Sequence, residues 1–187
     1  MGSPFTQLPL IESETLTLRR IVESDLDALY EIYRNDNVFA FIPGGVKKSK
    51  ETVRNMIGHF ERDFRNKKTA TLGICLAEKP DELIGTAEIF DFDPKVNMAT
   101  IGYRLNEAYW GRGIATQTVR ALTNYLFSTV GLNRIAAYVM PQNVASQRVL
   151  EKNGFVREGL LRQANFWTGK GVVDLVVFSR LRADTLA

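Results

Sequence analysis

Hydrophobic residues are spaced along the chain in patterns typical of both strands and helices. Residues 16–21 alternate apolar with polar side chains and predict a short opening strand. Over residues 26–33 and 53–64, apolar side chains recur three or four positions apart, so each stretch predicts an amphipathic helix. Residues that commonly cap helices stand just before both stretches: Ser24, followed three positions later by Asp27, and Ser49.

The middle of the chain changes to an extended pattern. Three apolar runs, residues 72–76, 83–90 and 100–105, are separated by charged or Pro- and Asn-containing segments, and they predict an antiparallel meander. A helical pattern over residues 113–127 then leads to a new strand at 135–140. A strand, a helix and a strand in this order predict a right-handed crossover and a parallel strand pair.

The last part of the chain completes the predicted sheet. A shorter helix ends near Gly154, and two further strands, residues 155–161 and 172–178, are joined by a loop that contains Gly169 and Gly171. The elements together predict an α+β fold, with a mixed, mostly antiparallel sheet of about seven strands and about four helices on both sides.

Length and composition fit a single globular domain. The chain has 187 residues, 45% of them apolar and 24% charged, and we expect one domain over residues 1–187 with a core from about residue 16 to residue 181. The net charge is only +3 and basic residues are interleaved with acidic ones, which disfavours nucleic-acid binding. No apolar run approaches the roughly 20 residues of a membrane-spanning helix. The opening Met1-Gly2-Ser3 suits either a natural start or an expression remnant.

The sequence contains few residues of the types that form metal or redox sites. Cys75 is the single cysteine, so no internal disulfide forms and a cytoplasmic location is expected. Its apolar neighbours indicate a small core residue rather than a nucleophile. His59, the single histidine, lies beside the apolar stripe of the second predicted helix, where partial exposure is expected. We therefore expect no metal site.

The first candidate for chemistry is a glycine turn after the meander. Gly111-Arg112-Gly113 precedes the predicted helix, and the free backbone N–H groups of a helix N-terminus attract anions. A Rossmann turn is disfavoured because the preceding strands form a meander and no third glycine follows, and a Walker loop lacks its Gly-Lys-Ser/Thr. We interpret the turn as a cradle for a diphosphate, with Arg112 either at its rim or simply solvated.

A second polar constellation starts the shorter helix about 30 residues later. Asn143 and Ser146 are three positions apart at the helix start, which suits a helix cap. The same spacing puts both polar groups on one side of the turn, facing a cleft beside the glycine turn. Both interpretations can hold for Asn143.

The two constellations together resemble the GNAT acetyltransferase superfamily, and most of all the branch that contains ribosomal-protein N-terminal acetyltransferases and many small-molecule N-acetyltransferases. The residues that carry the resemblance are Tyr109-Trp110-Gly111-Arg112-Gly113-Ile114-Ala115-Thr116 and Asn143-x-x-Ser146-x-x-Val149-Leu150-Glu151-Lys152-x-Gly154-Phe155. Glu158-Gly159 and Asp174 follow as in that branch, and the order of elements matches from about residue 16 to residue 181.

This resemblance implies acetyl transfer from acetyl-CoA to a primary amine, either a protein N-terminal α-amino group or a small-molecule amine, by direct attack in a ternary complex. It also implies that the strand containing Tyr103 and Leu105 splays away from the strand at 135–140, so that their open edges hold the pantetheine arm. The other residues implied to bind the cofactor are Trp110, Gly111, Arg112, Gly113, Ile114, Ala115, Thr116, Asn143 and Ser146, with residues 112–116 around the diphosphate.

The implied catalytic groups are fewer. Ser146 is the candidate proton donor for the leaving thiolate, and a backbone N–H near Leu105 is the candidate donor to the oxyanion. Two acidic positions of the branch are replaced, one by Thr100 and one by Asn165, so Glu88 is the best remaining carboxylate for a general base. Glu88 as an exposed strand residue, and a water relay, stay open as alternatives. The replaced acids also motivate a second hypothesis, a non-catalytic acyl-CoA-binding or sensor module.

The amine acceptor is expected to bind near three segments: the loop at 39–46, the second helix and the loop at 164–172. Aromatic side chains at Phe41, Phe90 and Trp167 either line this pocket or pack in the core. A homodimer stays open, and neither a nucleic-acid nor a membrane partner is expected.

Overall fold

Eight strands form one continuous sheet in the computed structural model, which describes residues 3–185; Met1 and Gly2 of the opening tripeptide lie outside the described residues. The strands are β1 (Ile11–Glu12), β2 (Leu16–Arg19), β3 (Thr69–Leu76), β4 (Lys79–Asp93), β5 (Met98–Leu105), β6 (Arg134–Val139), β7 (Val156–Trp167) and β8 (Gly171–Leu181). Their order is β1-β2-β3-β4-β5-β6-β8-β7. Within residues 3–185, only β5 and β6 pair in parallel, so the predicted mixed, mostly antiparallel α+β fold is confirmed.

The described part of the chain contains four α-helices: α1 (Leu26–Tyr33), α2 (Lys50–Arg65), α3 (Ile114–Asn124) and α4 (Val144–Lys152). The predicted cap of α2 is confirmed, because the Ser49 hydroxyl accepts a hydrogen bond from the Thr52 N–H at 3.1 Å. The predicted cap at Ser24 is wrong. The neighbouring Asp25 carboxylate instead accepts the Val22 N–H at 2.8 Å, and α1 begins only after a single 3-10 turn.

Two hydrophobic clusters place helices on both faces of the sheet. Val119 and Leu122 of α3 and Leu150 of α4 belong to a large cluster with buried residues of β2 to β6 and β8. Leu29 of α1 and Val53 of α2 belong to a second cluster that covers the other face. Helices therefore pack on both sides, as predicted.

The strands differ from the predicted ones mainly at the ends of the chain. The short β1 brings the count to eight, and its two residues are too few to show a periodicity. β7 continues to Trp167 and β8 already begins at Gly171, so most of the predicted loop at 164–172 belongs to a β-hairpin. β7 is an edge strand with register shifts near residues 158 and 163, and its mostly exposed side chains do not alternate in the way that predicts a strand.

The parallel pair is the feature that shapes the site. β5 and β6 pair only from Met98 to Thr100 with Arg134 to Ala136, and beyond these residues the two strands separate. α3 forms the crossover between them and continues into a π-helical segment, Tyr125–Val130, which ends at Gly131. The predicted parallel pair and the predicted splay are both present.

Candidate active site

The gap between β5 and β6 is lined by backbone groups that form no hydrogen bonds to a neighbouring strand. Antiparallel residues alternate between hydrogen-bonded and non-hydrogen-bonded positions, and the Asn106 N–H donates to the Ile84 carbonyl of β4 at 2.9 Å. Asn106 is therefore a position bonded to β4, and the alternate residues Leu105 and Tyr103 direct their N–H and C=O groups away from β4. Because β6 has already separated at that level, these groups open into the gap.

A cavity of about 1190 Å³ occupies this gap and extends to both faces of the sheet. The predicted site residues that line it are Glu88, Tyr103, Leu105, Trp110, Gly111, Gly113, Ile114, Ala115, Thr116, Asn143 and Ser146. The fold therefore brings the glycine turn and the start of α4, about 30 residues apart in sequence, around one space.

The glycine turn presents a helix N-terminus to the cavity. Gly113 is the N-cap of α3 with φ +77°, a conformation that a residue with a Cβ rarely adopts, and no side chain caps the helix. The first intrahelical bond runs from the Gln117 N–H to the Gly113 carbonyl, so the preceding N–H groups of the first turn have no partner within the helix. A Cβ built on Gly113 meets no atom within 4 Å, which leaves room for a ligand beside the backbone. This arrangement suits a diphosphate.

Arg112 and Trp110 differ in how they relate to the cavity. The Arg112 guanidinium lies over the Tyr109 ring, 5.2 Å from its centroid, and Arg112 is not among the residues that line the cavity. The Trp110 indole N–H donates to the Leu105 carbonyl at 3.0 Å, so it holds the end of β5 against the glycine turn. Because this bond occupies the Leu105 carbonyl, the Leu105 N–H is the group of that residue that remains directed into the gap.

Ser146 and Tyr103 meet across the gap on the face covered by α4. The Tyr103 hydroxyl and Ser146 Oγ lie 2.8 Å apart, and either atom can be the donor. Burial raises the pKa of Tyr103 to about 12, although the hydrogen bond to Ser146 lowers it, so the phenol stays protonated at neutral pH. Asn143 caps α4, since its Oδ1 accepts the Ser146 N–H at 3.1 Å. The cap fixes the position of Ser146 at the cavity wall.

Glu88 lies on the opposite face of the sheet, in a cluster that sequence patterns do not reveal. Arg104 Nη1 and Nη2 donate to the two carboxylate oxygens of Glu88 at 2.9 and 3.2 Å. Arg104 Nη1 also donates to the Tyr33 hydroxyl of α1 at 2.6 Å. Burial raises the pKa of Tyr33, and Arg104 partly opposes that shift. The alternation of side chains along β5 predicts that Arg104 and Tyr103 point to opposite faces of the sheet. The two partners of Arg104 are 16 and 71 residues away in the sequence, so no local pattern predicts these contacts.

Most of the other residues considered from the sequence lie away from the cavity. His59 is exposed on α2, and Cys75 is fully buried in β3, where burial raises its pKa to about 11. Thr100 is buried where β5 still pairs with β6. Asn165 does line the cavity, from β7.

Aromatic side chains also form part of the cavity wall. Phe41, Phe90 and Trp167 all line it, together with neighbouring residues of the 37–43 loop and of β7. The sequence-based expectation that α2 lines this region is wrong, because α2 packs on α1 and β3, and none of its residues lines the cavity. Within the described chain, no helix combines the length and apolarity needed to cross a bilayer.

Comparison with known proteins identifies the fold. Residues 15–156 match the family described as acetyltransferase (GNAT) domain. The chain belongs to the GNAT family. It is 35% identical over 163 residues to the uncharacterized N-acetyltransferase YoaA of Bacillus subtilis (strain 168), an alignment that covers 86% of this chain and 90% of that protein. It is 28% identical to the ribosomal-protein-serine acetyltransferase of Escherichia coli (strain K12), over 82% and 86% of the two chains.

Solved structures agree with this assignment. A GNAT acetyltransferase from Bacillus anthracis superposes with a TM-score of 0.81 at 26% identity, over 94% of this chain and 99% of that one. RimL, a ribosomal L7/L12 alpha-N-protein acetyltransferase crystallised with coenzyme A, superposes with a TM-score of 0.78 at 25% identity, over 93% and 97%. This GNAT protein is therefore an acetyl-CoA-dependent acetyltransferase.

Among residues 3–185, no three His, Cys, Asp or Glu side chains are grouped so as to hold a metal ion.

Proposed function

We propose that this GNAT acetyltransferase passes the acetyl group of acetyl-CoA directly to a primary amine while both substrates are bound. The observation that carries the proposal is the cavity between β5 and β6, which joins an anion-binding helix N-terminus on one side to a carboxylate and an aromatic pocket on the other. A donor and an acceptor can thus approach each other within one space.

The cofactor half of the site follows from the unpaired backbone groups. The N–H groups at the start of α3, from Gly113 to Thr116, are suited to hold the diphosphate, and Gly111 keeps the turn free of side-chain atoms. The open edges of β5 at Tyr103 and of β6 are suited to hold the amide groups of the pantetheine arm by backbone hydrogen bonds. Asn143 orients the start of α4 beside the same arm.

The chemistry needs three groups around the thioester. A neutral amine attacks the carbonyl carbon, a C–N bond forms, and the oxyanion that develops is stabilised by the Leu105 N–H. The C–S bond then breaks, and Ser146, directly or through a water molecule, gives a proton to the thiolate. The Ser146 hydroxyl regains its proton from water that enters the cavity when the products leave. The amine nitrogen loses its extra proton to Glu88 or through water to a backbone carbonyl. Ser146 and Glu88 lie on opposite faces of β5, which suits a leaving thiol on one face and an entering amine on the other.

A protein N-terminal α-amino group is the acceptor that we place first, with a small-molecule amine as the alternative. The E. coli relative and RimL are both named as ribosomal-protein acetyltransferases, which supports a protein acceptor. An α-amino group has a pKa of about 7.7–8.0, against about 10.4 for lysine, so it needs only a weak base to become neutral.

The test is an acceptor panel with detection of the released thiol. Short peptides that begin with Ser, Ala or Met are compared with identical peptides whose N-terminus is blocked, and with simple amines. We expect thiol release with free N-termini and none with the blocked controls. If only small amines support thiol release, the protein acceptor is wrong. If acetyl-CoA binds but no amine is acetylated, the non-catalytic acyl-CoA-binding module becomes the better description.

A further inference from the structure

The face of α4 that borders the cavity carries two cations that the chemistry above does not use. Arg148 and Lys152 lie one helical turn apart, both are exposed, and both line the cavity. Neither side chain has an ion-pair or hydrogen-bond partner among residues 3–185. Like charges at this spacing repel each other along a helix, and an anion bound between them removes the repulsion.

Hydrogen bonds hold the C-terminal end of α4 close to the glycine turn at the start of α3. The Asn153 side-chain amide donates to the Thr116 carbonyl, in the first turn of α3, at 3.1 Å. The same amide donates to the Val149 carbonyl of α4 at 2.8 Å, so it joins the C-terminal end of α4 to the N-terminal end of α3. Lys152, which precedes Asn153, therefore lies beside the helix N-terminus proposed to hold the diphosphate.

The charges that line the cavity are divided between its two ends. Glu88, Asp91 and Arg104 lie on or next to the inner strands β4 and β5, and their formal charges of −1, −1 and +1 sum to −1. Arg148 and Lys152 on α4 contribute two positive charges. The α4 end thus attracts a polyanion, whereas the strand end attracts a cationic amine.

We propose that Arg148 and Lys152 bind a phosphoryl group of acetyl-CoA and that they, rather than Arg112, supply the cationic side chains of the cofactor site. The inference rests on the proposed cofactor half of the site. Acetyl-CoA carries two candidate groups of the same chemistry, the diphosphate and the 3′-phosphate of the ribose. Both are anions of the kind that paired cations bind, and the ligand used in the experiment separates them.

The experiment is calorimetric titration of four proteins: the wild type, Arg148→Gln, Lys152→Gln and the double variant. Each is titrated with acetyl-CoA and with acetyl-dephospho-CoA, which lacks the 3′-phosphate. Arg120→Gln is the matched control, because Arg120 is an exposed cation on the neighbouring α3 that does not line the cavity. We expect the double variant to bind acetyl-CoA roughly tenfold or more weakly, since hydrogen bonds to charged groups are lost, and the control to bind like the wild type.

The two ligands then identify the group that is bound. A loss seen with acetyl-CoA but not with acetyl-dephospho-CoA assigns the pair to the 3′-phosphate, and an equal loss with both assigns it to the diphosphate. If the wild type binds both ligands and the double variant binds them equally well, the inference is overturned. If the wild type binds neither ligand, the proposed cofactor site itself fails. The wild-type affinity should also fall as salt is added, because these cations are exposed.

Discussion

Replacing Gly113 with valine should weaken cofactor binding strongly while the protein still folds. Gly113 has φ +77°, where any residue with a Cβ is strained by roughly 1–2 kcal/mol, and a β-branched side chain lies at the upper end of that range. A Cβ at this position meets no atom within 4 Å, so no packing clash adds to the cost. Domains are stable by about 5–15 kcal/mol, so the variant should fold, with Tm lower by roughly 2–8 °C.

The effect on acetyl-CoA binding should be much larger than the effect on stability. The open space beside Gly113 is where the diphosphate is proposed to approach the start of α3, and the valine side chain would occupy it. Losing two hydrogen bonds to a charged group costs about 3 kcal/mol or more, which corresponds to an affinity more than ~100-fold weaker. Calorimetric titration with acetyl-CoA measures this change directly, and thermal melting measures the stability.

Gly131→Val is the matched control for backbone strain. Gly131 has φ +78°, a Cβ there has its nearest atom at 3.9 Å, and the residue does not line the cavity. It should lose a similar amount of stability and keep its affinity for acetyl-CoA. A Gly113→Val variant that binds acetyl-CoA like the wild type, or a Gly131→Val variant that loses as much affinity as Gly113→Val, would contradict the proposed diphosphate site.

Three further variants test other parts of the account. Ser146→Ala should lower kcat by about 100-fold if Ser146 is the general acid, with little change in acetyl-CoA affinity; equal losses in both would indicate a positioning role. Glu88→Gln should slow acetylation most at pH values below the pKa of the amine, and an unchanged pH–rate profile would favour the water relay instead. The hydrogen bonds from Arg134 and then Ser179 lower the pKa of Glu158 from 4.5 to about 2, so the stability they provide is present above about pH 4.5 and is lost as the pH falls towards 2. Glu158→Gln should therefore show a flatter fall in unfolding free energy than the wild type over that acid range, and parallel curves would contradict the assignment.

The elements that the sequence predicted well are those with a local physical signal. The apolar periods of α1 and α2, the cap at Ser49 and the crossover from β5 to β6 all depend on residues close in the chain. The glycine turn is local too, because its positive φ values call for residues without a Cβ. The gap beside it was implied by family resemblance and not by any periodicity.

The features that could not be predicted depend on contacts between distant residues. Arg104 of β5 contacts Glu88 on the neighbouring strand β4 and Tyr33 on the helix α1. The spacing of residues within a single strand or helix cannot predict such contacts. The cap at Ser24 fails because Asp25, paired with Arg19 of β2, takes the local N–H instead. From the sequence, Arg112 could equally contact the ligand or be solvated. In the structure its guanidinium lies over the Tyr109 ring.

Initial-rate kinetics with both substrates show whether the acetyl group passes directly from acetyl-CoA to the amine in the gap between β5 and β6. Thiol release is measured while acetyl-CoA and a free N-terminal peptide are varied together, and the protein mass is recorded after incubation with acetyl-CoA alone. Direct attack predicts intersecting lines in double-reciprocal plots and a protein without a bound acetyl group. Parallel lines with an acetylated protein, the signature of a covalent intermediate, would contradict it.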